Sequence, residues 1–277
     1  MDIYQIVSEF YESVTTKKRI IGKSVFGRNL YAFQVGSGSP VGIAQYAIHG
    51  REFITARLAL KQYSVGVKKG SMWFIPLINP DGCLLSEKGL ESVPKKRDRE
   101  RLLQWNDGED FSLWKANGRG VDLNVNFDAD WGKGVKNVHT AGAENYIGRR
   151  PFSEPESRAL RRFTQSIRPD YTVSYHTKGE EIYWYFSQSL RVCGRDKALA
   201  VALSTSTGYP LCYAKGSVGG YKDWCIQTLK IPAFTIEAGA DYFTHPLCES
   251  GLCNIWERNR YALYDLSVAY GRERNGL

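Results

Sequence analysis

His49 and Glu52 stand three residues apart at the close of the apolar run Val41-Gly-Ile-Ala-Gln-Tyr-Ala-Ile48. A neutral imidazole nitrogen and a carboxylate oxygen are ligand types of a catalytic zinc, which takes three protein side chains and leaves one position for water. A strand that turns sharply into a helix can aim both side chains at one point. The spacing itself is common by chance, so its meaning depends on what else the chain brings to the same place. Tyr171-Thr-Val-Ser-Tyr-His176 ends a second strand-like run on histidine, and Ile231-Pro-Ala-Phe-Thr-Ile-Glu237 ends a third on a carboxylate. Burial of a carboxylate is costly unless it is paired or at work. A structural histidine or a salt bridge would explain either residue by itself. Three strands ending on His, His and Glu at one sheet edge are better explained as a site. Hydrolysis at zinc also needs a carboxylate that accepts a proton from water and returns it to the leaving amine. His139, in a polar loop, and His245, just before a proline, are poor ligand candidates.

The elements that must position these residues follow from the pattern of the chain. An opening helix over about residues 2–14 carries Ile3, Ile6, Val7 and Phe10 at helical spacing. Arg19–Phe26 and Asn29–Val35, split by Gly27-Arg28, read as a hairpin. Val41–Ile48 is a continuous apolar strand, followed by a helix over about 52–67. Ser71–Ile78 is another, closing on an expected turn at Asn79-Pro-Asp-Gly82. Residues 83–150 are rich in Gly, Asn, Asp and Lys, which predicts irregular structure at a site rim and no core. Ser153-Glu-Pro-Glu156 then opens a helix to about Ser166, with Ser153 as its cap. Strands at 171–176 and 181–186, helices near 194–206 and 219–229, the strand 233–237 and a helix near 254–270 complete the chain. Alternation of this kind predicts one α/β domain over 1–277, with helices on both faces of a mixed, mostly parallel sheet. Sites in such sheets lie off the carboxyl ends of the strands.

Composition narrows the classes. Hydrophobic residues make up 43% of 277, enough for a large core, and Phe 12, Trp 7 and Tyr 17 favour buried strands beside an aromatic-lined cleft. The formal charge is +8, but the basic residues are dispersed. The one cluster, Lys95-Lys96-Arg97 with Arg99 and Arg101, is interrupted by Asp98 and Glu100, so no nucleic-acid partner is expected. No apolar run approaches the roughly eighteen residues of a membrane span. No basic and apolar leader opens the chain, and six irregularly spaced cysteines read as reduced thiols, which together predict a cytoplasmic location.

Taken in order, His49-x-x-Glu52, Asn79-Pro-Asp-Gly82, Gly120-Val-Asp-Leu-Asn124, Ser153-Glu-Pro-Glu156, His176 and Thr235-Ile-Glu237 resemble the zinc metallocarboxypeptidase family over roughly residues 20–270. The resemblance implies a three-layer α/β/α sandwich of the carboxypeptidase type. It implies one zinc per chain on His49, Glu52 and His176, with Glu237 as general base. It also implies a cation facing the oxyanion, for which Lys115 is the first choice and Arg119 the second. Two departures bear on the substrate. Where family members pair Asn with Arg to clamp a terminal carboxylate, this chain has Asn124 and Val125, and Val cannot make that bidentate contact. Lys222 stands where members that accept apolar side chains have a hydrophobic residue, and Asp223 follows it. The position of the family's catalytic-loop Tyr falls near Tyr213 and, by gapless counting, on Lys215. A Lys-Asp pair suits a side chain with both a carboxylate and an amine. The segments Tyr175–Trp184 and Asp122–Ala129 resemble the branch that hydrolyses γ-D-glutamyl-meso-diaminopimelate bonds in peptidoglycan stem peptides. Stem peptides are thus the expected substrate. The alternatives are a carboxypeptidase acting on ordinary C-termini and a non-catalytic module that binds peptidoglycan peptides.

Overall fold

Residues 1–214 and 216–273 are described by the computed structural model, and the expectation placed on Lys215 lies outside them. The chain opens on helix α1 (Ile3–Ser13), whose start is fixed reciprocally: the Asp2 side chain accepts from the Gln5 N–H, and the Gln5 side chain accepts from the Asp2 N–H. Its buried stripe is Ile3, Val7 and Tyr11, with Ile6 and Phe10 only half-buried. Strands β1 (Lys18–Lys23) and β2 (Asn29–Gly36) form the expected hairpin. They are followed by β3 (Val41–Tyr46), helix α2 (Ile54–Val65) and β4 (Ser71–Ile75), which stops before Pro76.

The segment Asn79–Gly82 is not a free turn. It is the first turn of helix α3 (Pro80–Lys88), with Asn79 as the cap and Pro80 at the first helical position, where its missing N–H costs nothing. The stretch 83–150 also differs from expectation. It contains helix α4 (Lys96–Asn106) and its own small core of Leu85, Val93, Leu102, Phe111, Trp114 and Ala116. Helix α4 is highly charged and buries only Leu102, so no apolar period announces it. Leu85 comes from α3, and the other core residues are single apolar side chains spread along the segments around α4.

Helix α5 (Pro155–Ile167) begins as expected, but Glu154 holds the cap position, and the Ser153 hydroxyl donates to the Glu154 carboxylate at 2.9 Å. Then come β5 (Tyr171–His176), β6 (Glu181–Tyr183), helix α6 (Leu190–Thr207) and β7 (Leu211–Cys212). A short helix α7 (Tyr221–Trp224) runs on as a π-turn through Leu229, and β8 (Ala233–Glu237) follows. The expected last helix is two, α8 (Glu249–Asn259) and α9 (Ala262–Glu273).

The eight strands make one mixed sheet in the order β1-β2-β4-β3-β5-β8-β6-β7, with the parallel pairs β4/β3, β3/β5 and β5/β8 at its centre. Alternation along the central strands sends side chains to opposite faces. Ala44, Tyr46, Met72 and Phe74 join α1, α2, α6, α8 and α9 in one core; Ile43, Trp73 and Ile75 join α5 and α7 in the other. The result is a three-layer α/β/α sandwich. No described helix is long and apolar enough to cross a membrane. From β3 the chain crosses to β4 on one side, while β5 lies on the other. The crevice beyond the carboxyl ends of β3, β5 and β8 is therefore the place where such a sheet builds a site.

Candidate active site

The sheet register brings the pieces together. Tyr46 pairs with Tyr175 across β3/β5, and His176 pairs directly with Glu237 across β5/β8. His49 lies three residues past the end of β3 and caps a 3-10 turn over Gly50–Glu52 that carries Glu52 back toward it. That turn needs a close backbone approach. A Cβ on Gly50 would lie 2.5 Å from the Gly82 carbonyl oxygen and 2.6 Å from that of Trp114. Likewise a Cβ on Gly82 would lie 2.2 Å from the Ala116 carbonyl oxygen. Asn79, fully buried, binds these pieces. It accepts from the Gly82 N–H at 2.9 Å and donates to the carbonyls of Ile48 at 3.1 Å and Ala116 at 3.0 Å. The Asn79 N–H donates to the Ala47 carbonyl at 3.0 Å. Asn79→Ala would remove the cap and strand two buried carbonyls, so a loss of about 2–4 kcal/mol is expected in urea unfolding. A loss below about 0.5 kcal/mol would show that the loops hold without it.

His49 Nδ1 lies 2.8 Å from Glu52 Oε1, His176 Nδ1 3.1 Å from Glu52 Oε2, and the two Nδ1 atoms 3.1 Å from each other. All three side chains are buried. Two imidazole nitrogens facing each other over a carboxylate need a cation between them, either a proton or a metal. At zinc, with ligands about 2.0–2.1 Å away in a tetrahedron, donor atoms stand about 3.3 Å apart, so a small expansion of this triangle admits the ion. Of the described residues, these form the group of His, Cys, Asp and Glu able to hold a metal. Electrostatics agree. Burial raises the Glu52 carboxyl, but His49 and His176 outweigh it and hold it well below the usual carboxylate range.

The sequence places Asp122 in Gly120-Val-Asp-Leu-Asn124 and gives it no role. It is fully buried; one oxygen lies 3.3 Å from His49 Nε2 and the other 3.1 Å from Lys115 Nζ. It also accepts from the N–H groups of Asn124 at 3.0 Å and Asn145 at 3.2 Å. Burial raises its carboxyl, but Lys115 and then His49 overcome this and leave it strongly depressed. A carboxylate on Nε2 favours the proton there and leaves Nδ1 free to bind a metal. Asp122→Asn is expected to weaken zinc binding about 10- to 100-fold, read by competition with a chromogenic chelator. Unchanged affinity would remove Asp122 from this role. Only geometry could reveal it, since an acid inside a loop motif reads equally well as a cap.

Glu237 faces this group. Burial pushes its carboxyl up to about 7; His176 opposes the shift, and Glu52 adds to it. Lys115 acts electrostatically on both Glu52 and Glu237, so it belongs to the same cluster; its side chain is 18% exposed. Burial lowers the Lys115 ammonium, and Asp122 and Glu52 raise it further than that. Arg119 lies elsewhere. It is 54% exposed and pairs with Glu154 at 3.6 Å, on the far side of the Lys115–Asp122 loop.

Beside Glu237 a cavity of about 230 Å³ is lined by Asn124, Tyr183, Tyr213, Lys222, Asp223 and Thr235, among others. Lys222 and Asp223 are both buried and pair at 2.5 Å, and Lys222 Nζ also donates to the Tyr185 carbonyl at 3.3 Å. Val125 is half-buried and not among the lining residues, though the backbone at Val125 lies against Gly219. His245 sits nearby, with Nε2 3.1 Å from both the hydroxyl and the carbonyl oxygen of Thr177, and outside the metal-binding group.

Fold and site together match the pattern of a zinc metallopeptidase. A family model described as zinc carboxypeptidase matches residues 3–262, and the chain belongs to that family. It is 31% identical over 257 residues to gamma-D-glutamyl-L-diamino acid endopeptidase 1 of Lysinibacillus sphaericus, a match covering 86% of this chain and 63% of the relative. The chain thus spans somewhat less than two thirds of that relative's length. It is 27% identical over 235 residues to murein peptide amidase A of Escherichia coli K12, covering 78% of each. Among solved structures, bovine thrombin-activatable fibrinolysis inhibitor aligns over 99% of this chain and 98% of its own, with a TM-score of 0.77 at 21% identity. Murein-tripeptide amidase from Escherichia coli O157 aligns over 94% and 95%, with a TM-score of 0.58 at 23% identity. These structures share the fold.

Proposed function

We propose that this protein hydrolyses the γ-D-glutamyl-meso-diaminopimelate bond of peptidoglycan stem peptides, with zinc held by His49, Glu52 and His176. The observation that carries the reading is the buried Lys222–Asp223 pair in the cavity next to Glu237. An ammonium and a carboxylate side by side match the zwitterionic end of diaminopimelate: Lys222 takes its carboxylate and Asp223 its amine. The names of the relatives, one acting on γ-D-glutamyl-diamino acid peptides and one on murein peptides, support the same substrate class.

Zinc, when bound, supplies Lewis acidity toward the scissile carbonyl and toward water. Glu237 accepts a proton from the attacking water and delivers it to the diaminopimelate nitrogen as the C–N bond breaks. The products are the D-glutamyl γ-carboxylate and the free amine. Lys115, held by Asp122, faces the negative charge that develops on the carbonyl oxygen, a contribution typically worth a few kcal/mol. Asn124 lies on the wall of the same cavity and contacts the diaminopimelate portion. Val125, in place of an arginine, leaves no bidentate clamp for a chain-terminal carboxylate.

Replacement of Lys222 by Met should lower kcat/KM for a γ-D-glutamyl-diaminopimelate peptide about 10- to 100-fold, because a charge-assisted contact is lost. A hippuryl-type peptide assayed with the same protein is expected to be cleaved poorly by the wild type and no worse by the variant. Preference of the wild type for the hippuryl-type peptide would favour the ordinary carboxypeptidase reading.

A further inference from the structure

A second and larger cavity, of about 1060 Å³, opens on the other side of the Lys115–Asp122 loop. None of His49, Glu52, His176 or Glu237 lines it, and it shares no lining residue with the cavity beside Glu237. Lys95, Arg97 and Arg101, from the start of α4, form one wall, and Arg119, Arg149 and Arg150 face them. The basic cluster that looked interrupted in the sequence is thus completed in space by three arginines from elsewhere. Six cationic side chains stand against two acidic ones, Asp98 and Glu154, an excess of four in a chain whose formal charge is +8.

The two acids do little to neutralise the walls. Asp98 meets Arg101 at 3.8 Å and Glu154 meets Arg119 at 3.6 Å, both long contacts. Glu154 is already engaged by the Asn117 amide at 3.0 Å and the Ser153 hydroxyl at 2.9 Å. Among the described residues no ion pair is formed by Lys95, Arg97, Arg149 or Arg150, and all four are exposed. Like charges around a concave, low-dielectric wall repel one another and focus their field on whatever anion enters. Guanidinium groups hold carboxylate and phosphate in bidentate fashion.

Aromatic side chains complete the lining. Phe26, Trp105 and Tyr146 are half-buried walls, and so differ from the exposed platforms on which nucleic-acid bases stack. Half-exposed rings of this kind suit the C–H faces of sugar rings. The volume lies at the top of the range of about 300–1,000 Å³ typical of small-molecule clefts, which is room for an oligomer.

We propose that this cavity is a binding site for an anionic oligosaccharide, one carrying carboxylate or phosphate groups, separate from the catalytic cleft. The site would hold the enzyme on an acidic glycan while the cleft works on peptide. Isothermal titration of the zinc-loaded protein tests it with five probes: an oligogalacturonate, a sugar-phosphate oligomer, a neutral chito-oligosaccharide of the same length, inorganic phosphate and an oligothymidylate. Saturable binding of either acidic oligosaccharide is expected, and the tighter of the two identifies the acid. The neutral oligosaccharide and inorganic phosphate should bind at least about tenfold more weakly, and raised salt should weaken the acidic probes. The double variant Arg149→Ala/Arg150→Ala should lose about tenfold or more in affinity while cleaving a short peptide at the wild-type rate. Absence of saturable binding, equal binding of the neutral probe, tighter binding of oligothymidylate or an unaffected double variant would each overturn the proposal. None of these outcomes touches the peptidase reading, which rests on the other cavity.

Discussion

Glu237→Gln is expected to lower kcat by about 10²–10⁴-fold, the range a positioned general acid–base supplies, while zinc content stays that of the wild type. Gln keeps the size of the side chain and its place opposite His176 in the β5/β8 register, but it cannot accept and return a proton. Glu237 is also a half-buried carboxyl that desolvation raises to about 7, so the substitution removes the cost of a poorly solvated charge. The variant is therefore expected to fold and to melt no lower than the wild type. Wild-type kcat in a zinc-replete Gln variant would show that another group carries the proton. Loss of zinc along with activity would instead make Glu237 part of the metal site.

Removal of the metal is expected to have the second large effect. With a chelator, hydrolysis should fall to background, and the thermal midpoint should drop because a ligand that binds only the folded state stabilises it. Zinc at a thousand times its dissociation constant contributes about 4 kcal/mol. His176→Ala should reproduce both losses and resist rescue by added zinc, whereas chelated wild type should recover. The reason lies in the triangle of His49, Glu52 and His176. Without a metal, two imidazole nitrogens 3.1 Å apart must share a proton over a buried carboxylate. Full activity in the presence of excess chelator would contradict a zinc-dependent reaction.

How much of this was legible in the sequence follows from how each residue is placed. His176 and Glu237 end apolar strands, and strand ends in an α/β sheet point to one crevice, so pattern alone drew them together. His49 and Glu52 were marked by spacing. The central strands also emerged, because runs buried on both faces leave a continuous apolar signature. Asp122 escaped because its role depends on a loop folding back over His49 and Lys115, which no local period records. Helix α4 escapes because Lys96–Arg101 are all charged and only Leu102 is fully buried, with Leu103 and Trp105 packed partly buried on the small core. Asn79-Pro-Asp-Gly82 reads as a turn in sequence because the same residues open turns and helices. What separates the two is the burial of Asn79 against the Ile48 and Ala116 carbonyls, a long-range fact. The sequence ranks Lys115 ahead of Arg119, and the paths of their side chains separate the two. Lys115 turns toward Asp122 and the metal group, and Arg119 toward Glu154.

The proposed function assigns the choice of peptide to the Lys222–Asp223 pair in the cavity wall and to Val125 in place of an arginine, and the central claim rests on that assignment. Mass spectrometry of products from the zinc-loaded protein and the defined tripeptide L-alanyl-γ-D-glutamyl-meso-diaminopimelate tests it most directly. The predicted result is L-alanyl-D-glutamate and free diaminopimelate, formed only while zinc is present. An intact tripeptide under conditions in which the same protein trims ordinary C-terminal residues would contradict it.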